Sequence, residues 1–281
     1  MSILKAMATK RIAVLMTCFN RVNTTLACLN RLFSQMLPEE FSLDVWLVDD
    51  ASPDQTGEKV KAAFPWVHVI RGTGNLFWCK GMRLAWDKAA RYCPYDYFLW
   101  LNDDVLLKPD ALSCLIADSL RQNAVVVGSF SSDETETVVS YCATTADGRR
   151  EMPDGDVPRL ADGYMNGNLV LIPKGVFDVI GPIHGGYTHG YGDYDYGLRI
   201  KEHGLHFYSS SHFCGVCPQQ PERYLHVKDL SFAQRVRSLF DPRGYSLTDT
   251  FRYRYRHWGL MRALVSCVHV MVTVLTGTAK N

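Results

Sequence analysis

Four short apolar runs, each delivering a polar segment at its carboxyl end, constrain this chain more than any other feature. Residues 11–16 (Arg-Ile-Ala-Val-Leu-Met) lead into Thr17-Cys18-Phe19-Asn20-Arg21. Residues 43–48 end in Asp49-Asp50-Ala51-Ser52-Pro53-Asp54, and residues 67–70 end in Arg71-Gly72-Thr73-Gly74-Asn75. Residues 95–101, dense in Tyr, Phe and Trp, end in Asn102-Asp103-Asp104. Helical patterns separate the runs. Leu26, Leu29, Leu32 and Phe33 share one helix face behind an Asn23 or Thr24 cap, and residues 82–91 form a second helix. Strands alternating with helices imply right-handed crossovers and a mostly parallel α/β sheet. Central strands of such a sheet are covered on both faces and need not alternate. Ligands bind at the carboxyl ends of the strands, so the four polar loops predict one nucleotide site.

Two adjacent carboxylates at a strand end repel unless a cation neutralises them. Oxygen ligands there suit Mg²⁺ or Mn²⁺ shared with substrate phosphates. A plainer use of Asp104 is to open a helix through Lys108-Pro109-Asp110.

The second half differs. Residues 125–130 and 169–172 are further strands, and the polar stretch 131–160 suits hairpins or a mobile loop. Asp193-Tyr194-Asp195-Tyr196-Gly197-Leu198-Arg199 opens a helix that Gly204 ends near His203. From Pro221 onward Arg235, Arg237, Arg243, Arg252, Arg254, Arg256 and Arg262 interleave with aromatic residues, followed by an apolar run at 263–275 broken by His269. Such a segment suits the surface of an anionic membrane, or a helix packed on the catalytic domain or a second subunit. The expected organisation is one α/β domain over 1–220 and a helical extension over 221–281.

Composition sets limits. With a net charge of +1 there is no global electrostatic case for nucleic acid. Nine cysteines, an odd number, and no leader pattern at residues 1–10 point to a reduced, cytoplasmic protein. Cys214-x-x-Cys217 has no second pair at zinc spacing. No apolar run reaches the roughly 20 residues that span a bilayer, so no spanning helix is expected. No repeat recurs.

Five stretches, in this order, resemble a family 2 glycosyltransferase with the GT-A fold. They are Met16-Thr17-Cys18-Phe19-Asn20-Arg21; Val48-Asp49-Asp50-Ala51-Ser52-Pro53-Asp54-Gln55-Thr56; Gly74-Asn75-Leu76; Leu101-Asn102-Asp103-Asp104; and Gly192 through Arg199, the last similar to a D-x-D-Y-G-L-R form of some bacterial sugar transferases. The resemblance implies a metal-dependent, inverting transfer from a UDP- or dTDP-sugar to a saccharide, for lipid-linked acceptors at the cytoplasmic membrane face in bacterial surface-polysaccharide synthesis. It implies Thr17 and Phe19 at the base and ribose, Asp50 accepting the pyrimidine N–H, Asn75 in the donor loop, and Arg71 or Lys80 near the diphosphate. Asn102 and Asp103 would meet ribose or donor sugar, Asp104 the Mn²⁺ or Mg²⁺, and Asp193 would be the general base. Asp195 would orient the acceptor or support Asp193; the i,i+4 spacing also fits a plain ion pair with Arg199. Trp78 would stack on a sugar or sit in the core, and Asn166 and Asn168 would bind acceptor hydroxyls or form a turn.

The chain departs from the family pattern in places. Asn102 stands where an acid is common, Gly192 where a Glu is usual, and Cys217, with His212 nearby, where some members hold a metal-binding histidine. Two competing classes are a non-catalytic nucleotide-sugar-binding subunit and a sugar-nucleotide pyrophosphorylase. The second needs a glycine-rich loop after the first strand, which Thr17–Arg21 lacks. A dehydrogenase fails because Gly72-Thr73-Gly74 lacks the third glycine and follows the third strand.

Overall fold

The structure is a computed structural model and describes residues 9–218 and 227–278. The first half reads β1 (Lys10–Cys18), α1 (Val22–Phe33), β2 (Phe41–Asp49), α2 (Thr56–Ala63), β3 (His68–Arg71), α3 (Phe77–Tyr92), β4 (Tyr97–Leu101), β5 (Leu106–Leu107) and α4 (Ala111–Gln122). The second reads β6 (Val125–Ser131), β7 (Val139–Tyr141), β8 (Arg159–Ala161), β9 (Leu169–Pro173), α5 (Lys174–Ile180), α6 (Gly192–Glu202), β10 (Phe207–Val216), α7 (Phe232–Ser238) and α8 (Leu247–Thr276).

Among the described residues the strands form one sheet in the order β3-β2-β1-β4-β9-β6-β10-β5, with β7 on β6 and β8 on β10. The four opening strands are parallel, as the βα alternation requires. β9 enters between β4 and β6 antiparallel to both. Period-2 geometry splits each run between two layers. Ile12, Val14, Met16, Leu99 and Leu101 meet α1, α2 and α4. Ala13, Leu15, Phe98 and Trp100 meet α3, α5 and α6. Burial on both faces explains why these strands read as unbroken apolar runs.

Two expectations about helix starts change. α1 has no cap from Asn23 or Thr24; its first N–H, on Val22, donates to Asp54 Oδ2 at 2.9 Å. Asp104 opens no helix: β5 follows it, and α4 begins behind Asp110.

The C-terminal segment belongs to the core as much as to the exterior. The 220/221 junction lies outside the described residues. Tyr253 of α8 is buried in the same cluster as Trp86 and Trp100. By length and composition α8 is long and apolar enough to cross a membrane, contrary to the run-length expectation; polar interruptions had hidden it. It is not one straight rod. Gly259 (φ 79, ψ 179) occupies a backbone region essentially reserved for glycine and breaks α8 into two segments. Cys267 Sγ lies 3.8 Å from Leu247 O, so the second segment folds back along the first.

Candidate active site

A pocket of about 580 Å³ opens at the carboxyl ends of β1, β2 and β4. Its wall includes Thr17, Phe19, Arg21, Asp50, Asn75 and Trp78, then Asn102, Asp103, Asp104, Asn168, Cys217 and Arg243. Backbone conformations rare for side-chain-bearing residues cluster at its loops: Asn20 (φ 55), Ala51 (φ 59) and Phe77 (φ 53). Such strain persists where the surroundings over-determine a functional shape.

The acids after β2 build the scaffold. Asp49 accepts from the N–H groups of Ser52 and Gly57, at 3.0 and 3.1 Å. Asp50 accepts from Gly74 N (2.7 Å), Leu76 N (2.8 Å) and Phe77 N (3.0 Å), capping the start of α3. Asp54 holds the start of α1 and also Thr56. Three carboxylates thus fasten three helix starts, whose unpaired N–H groups and positive dipole end favour anions. A carboxylate offers about four acceptor sites, so Asp50 keeps one for a ligand.

The acids after β4 are held differently. Arg21 NH1 lies 3.2 Å from Asp103 and 3.0 Å from Asp104. Thr25 Oγ1 also donates to Asp103 Oδ2 (3.0 Å). Burial pushes the Asp103 carboxyl up to about 6, with the Arg21 charge opposing it. Asp104 is half-buried and borders the pocket. Its carboxylate fits a divalent cation that takes its remaining ligands from a diphosphate and water, since such sites use one or two carboxylates. Cys217 does not complete that set: burial holds its thiol up to about 12, and a hard cation prefers oxygen. His212 is away from the pocket wall and contacts Ser211 Oγ.

Asn102 has its own task. Its Oδ1 accepts from Trp78 Nε1 (2.7 Å) and its Nδ2 donates to Asn168 Oδ1 (2.7 Å). An aspartate could not donate the second bond. Trp78 is both wall and core: it borders the pocket and meets Trp100 edge-on at 5.8 Å.

Asp193 stands behind Trp78, at the start of α6. A side chain at Gly167 would meet the Trp78 ring at 2.6 Å and Asp193 Cβ at 3.6 Å, so both press on one bare glycine. Gly167 N donates to Asp193 Oδ2 (3.1 Å) and Tyr194 N to Oδ1 (2.9 Å). Burial raises the Asp193 carboxyl to about 6, with the two N–H donors opposing. Asp193 is half-buried and is not itself in the pocket wall; Trp78, which shares the Gly167 contact with it, is. Gly192 has no room for a Glu, because its Cβ would lie 2.6 Å from Cys79 Sγ.

Several expected contacts are not made. Asp195 is fully buried and is not in the wall of this pocket. It accepts from Tyr187 Oη (3.0 Å) and Arg199 Nε (2.8 Å), and pairs with Arg256 and His257 of α8 at 3.0 Å each. It therefore bolts α8 to the helix that carries Asp193 and is no acceptor ligand. Asn166 forms a turn, its Oδ1 accepting from Asn168 N (3.1 Å), and is outside the pocket wall. Arg71 and Lys80 are outside it too; among the described residues the arginines and lysines that border it are Arg21 and Arg243. Arg21 was legible as part of the first polar loop. Arg243 lies 139 positions beyond Asp104, in the basic C-terminal segment, where nothing local marked it as a pocket residue.

A model of the family described as Glycosyl transferase family 2 matches residues 13–177. No curated protein matches the chain. Among solved structures, a mannosyltransferase from Pyrobaculum calidifontis, in complex with GDP-Man and Mn²⁺, superposes with a TM-score of 0.57 at 15% identity. That match covers 97% of this chain and 77% of the other. TarS 1-349 of S. aureus in complex with UDP superposes with a TM-score of 0.53 at 13% identity, covering 90% and 73%.

Proposed function

The chain belongs to glycosyl transferase family 2 and has the GT-A fold, and from that premise we propose that it moves one sugar from a nucleoside-diphosphate donor to a saccharide hydroxyl with inversion. The observation that carries this reading is that Asp193 and Trp78 meet at one glycine, Gly167, while Trp78 lines a pocket whose wall also holds Asp50 and Asp104.

In the donor complex Phe19, 47% exposed at the pocket rim, stacks on the base beside Thr17. The remaining acceptor site of Asp50 takes the ring N–H of a uracil or thymine, which favours a UDP- or dTDP-sugar. The structural relatives were captured with GDP-Man and with UDP. Arg21 and Arg243 face the diphosphate. Asp104 would hold a divalent cation, Mn²⁺ or Mg²⁺, which when bound would offset the charge that develops on the leaving diphosphate. The Trp78–Asn102–Asn168 chain of hydrogen bonds keeps the sugar-facing wall rigid.

The acceptor oxygen forms its bond to the anomeric carbon as the bond to the diphosphate oxygen breaks, and Asp193 takes the hydroxyl proton. A base whose carboxyl sits near 6 is ionised at neutral pH yet basic enough to draw that proton. A single base with in-line attack inverts the anomeric centre. We read the acceptor as a lipid-linked saccharide, from the basic and apolar C-terminal segment, which fits bacterial surface-polysaccharide synthesis.

Calorimetry with UDP, dTDP and GDP in Mn²⁺ ranks the donors, and product formation over a sugar-nucleotide panel tests turnover. Asp193→Asn is expected to keep nucleotide affinity and lower turnover by about 10²–10⁴. Unchanged turnover removes Asp193 as the base; nucleotide binding with no turnover in the wild type returns the binding-subunit reading.

A further inference from the structure

We propose that the folded-back second segment of α8 is an in-plane anchor that seats this protein on an anionic lipid bilayer. Leu260, Met261, Leu264, Val265, Val268 and Val272 are 46–72% exposed. At about 100° per residue these positions fall within one stripe roughly 140° wide. The opposite face is covered. Ala263 and Val274 are fully buried, and Val274 packs with Val227, Leu239 and Tyr245. A soluble surface seldom leaves an apolar stripe this long uncovered.

Charge says what covers it. α8 carries four arginines against one buried aspartate, Asp249; Arg256 is paired with Asp195, while Arg252 and Arg254 stand before the bend and Arg262 on the second segment itself. The half-exposed Tyr255 and Trp258 stand just before the bend at Gly259. Basic residues and amphipathic aromatic rings beside an apolar face match the headgroup region of anionic lipids. A second copy of this basic surface would instead bring like charges together.

Geometry decides between lying in the bilayer surface and crossing it. The 17 residues 260–276 would reach about 26 Å, short of the roughly 30 Å hydrocarbon core. Crossing would also strip the covered face from Leu239 and Tyr245, and break the bond from Arg235 NH1 to Leu275 O (3.2 Å). The first segment stays bolted to the catalytic domain through Asp249, which accepts from Thr188 N (3.1 Å) and His189 N (3.3 Å), and through Asp195. His189 borders the donor pocket, and so does Arg243, which precedes α8. The anchor thus holds the pocket close to the lipid surface, where an acceptor carried on a lipid would be presented.

The surface is tested with no turnover, so its failure is separable from failure of the transferase reading. Full-length protein is sedimented with phosphatidylcholine vesicles, with and without phosphatidylglycerol. Binding is expected only with the anionic lipid, and to weaken as salt rises. Val265→Asp with Val268→Asp should reduce it by tenfold or more, with UDP binding unchanged as the control for folding. Arg262→Glu, outside the packed face, should weaken binding with less risk to the fold. Binding to neither vesicle overturns the proposal. So does binding indifferent to these substitutions. Retention in the membrane after alkaline carbonate extraction would favour a spanning helix, and concentration-dependent dimers dissolved by the same substitutions would favour a second copy; either result overturns it.

Discussion

The acids at the end of β2 and those at the end of β4 are neighbours in space and opposites in use. Asp49, Asp50 and Asp54 give their lone pairs to backbone N–H groups of three helix starts. Asp103 and Asp104 share a single guanidinium, Arg21, whose side chain is 48% exposed. A backbone donor cannot leave without unfolding its helix start, whereas a half-exposed arginine can swing away. The first set is therefore committed to the fold, apart from one acceptor site of Asp50, and the second stays available to a cation that a diphosphate would share. A third kind of acid, Asp195, is committed to a contact between two helices.

The sharpest way to break this contrast is to remove one acid of each kind. Asp104→Ala is expected to cut turnover by about 10³-fold or more, because a cation that supplies several kcal/mol to the transition state loses its protein ligand. Its melting temperature should move little, since an ion pair with a half-exposed arginine contributes at most about 1 kcal/mol. Asp50→Ala should do the reverse in thermal unfolding. Three N–H groups lose a charged acceptor, worth about 1.5–3 kcal/mol per bond and not additive, so a loss of about 3 kcal/mol, or roughly 6–10 °C, is expected. A stable Asp50→Ala protein, or an unfolded Asp104→Ala one, would erase the distinction.

Arg21→Gln tests whether the guanidinium stands where a metal would compete. Manganese binding to nucleotide-free protein, followed by calorimetry, is expected to tighten by about tenfold once the internal cation is gone. Unchanged affinity would mean that Arg21 and the metal use different faces of Asp104.

The smallest effect is in pH. Burial outweighs the backbone N–H bonds to Asp193 and raises its carboxyl to about 6, above an ordinary aspartate. The ionised form is the base, so the rate should rise with pH through about 6 and level off above it. The sign for stability is opposite. Between about 4 and 6 the folded chain binds a proton that the unfolded chain releases, so this residue's contribution grows as pH falls through that window. In Asp193→Asn the rise in residual rate near 6 should disappear, and the stability slope should shrink to the part that Asp103, also raised to about 6, contributes; an unchanged slope would assign the titration elsewhere.

Much of this was legible from the residues. Unbroken apolar runs marked strands buried on both faces, and polar segments at their ends marked the site. Misreadings came where a side chain's partner was distant in sequence. Asp195 reads as an active-site acid beside Asp193, yet Arg256 and His257, over 60 positions on, claim it. Arg71 and Lys80 follow the right strand and miss the pocket, while Arg243 reaches it from the connection between α7 and α8. A fold-back at one glycine, Gly259, turned an apolar helix into a surface feature that run length alone did not show.

The sequence by itself determined the layers and the edge of the sheet where polar loops meet, because side-chain periodicity and turn chemistry act over a few residues. Only the tertiary structure decided which carboxylates remain free. For Asp50, Asp103 and Asp104 the partners are N–H groups, a hydroxyl and a guanidinium 24 to 83 positions away, and a carboxylate takes whichever donor the packed chain brings within about 3 Å.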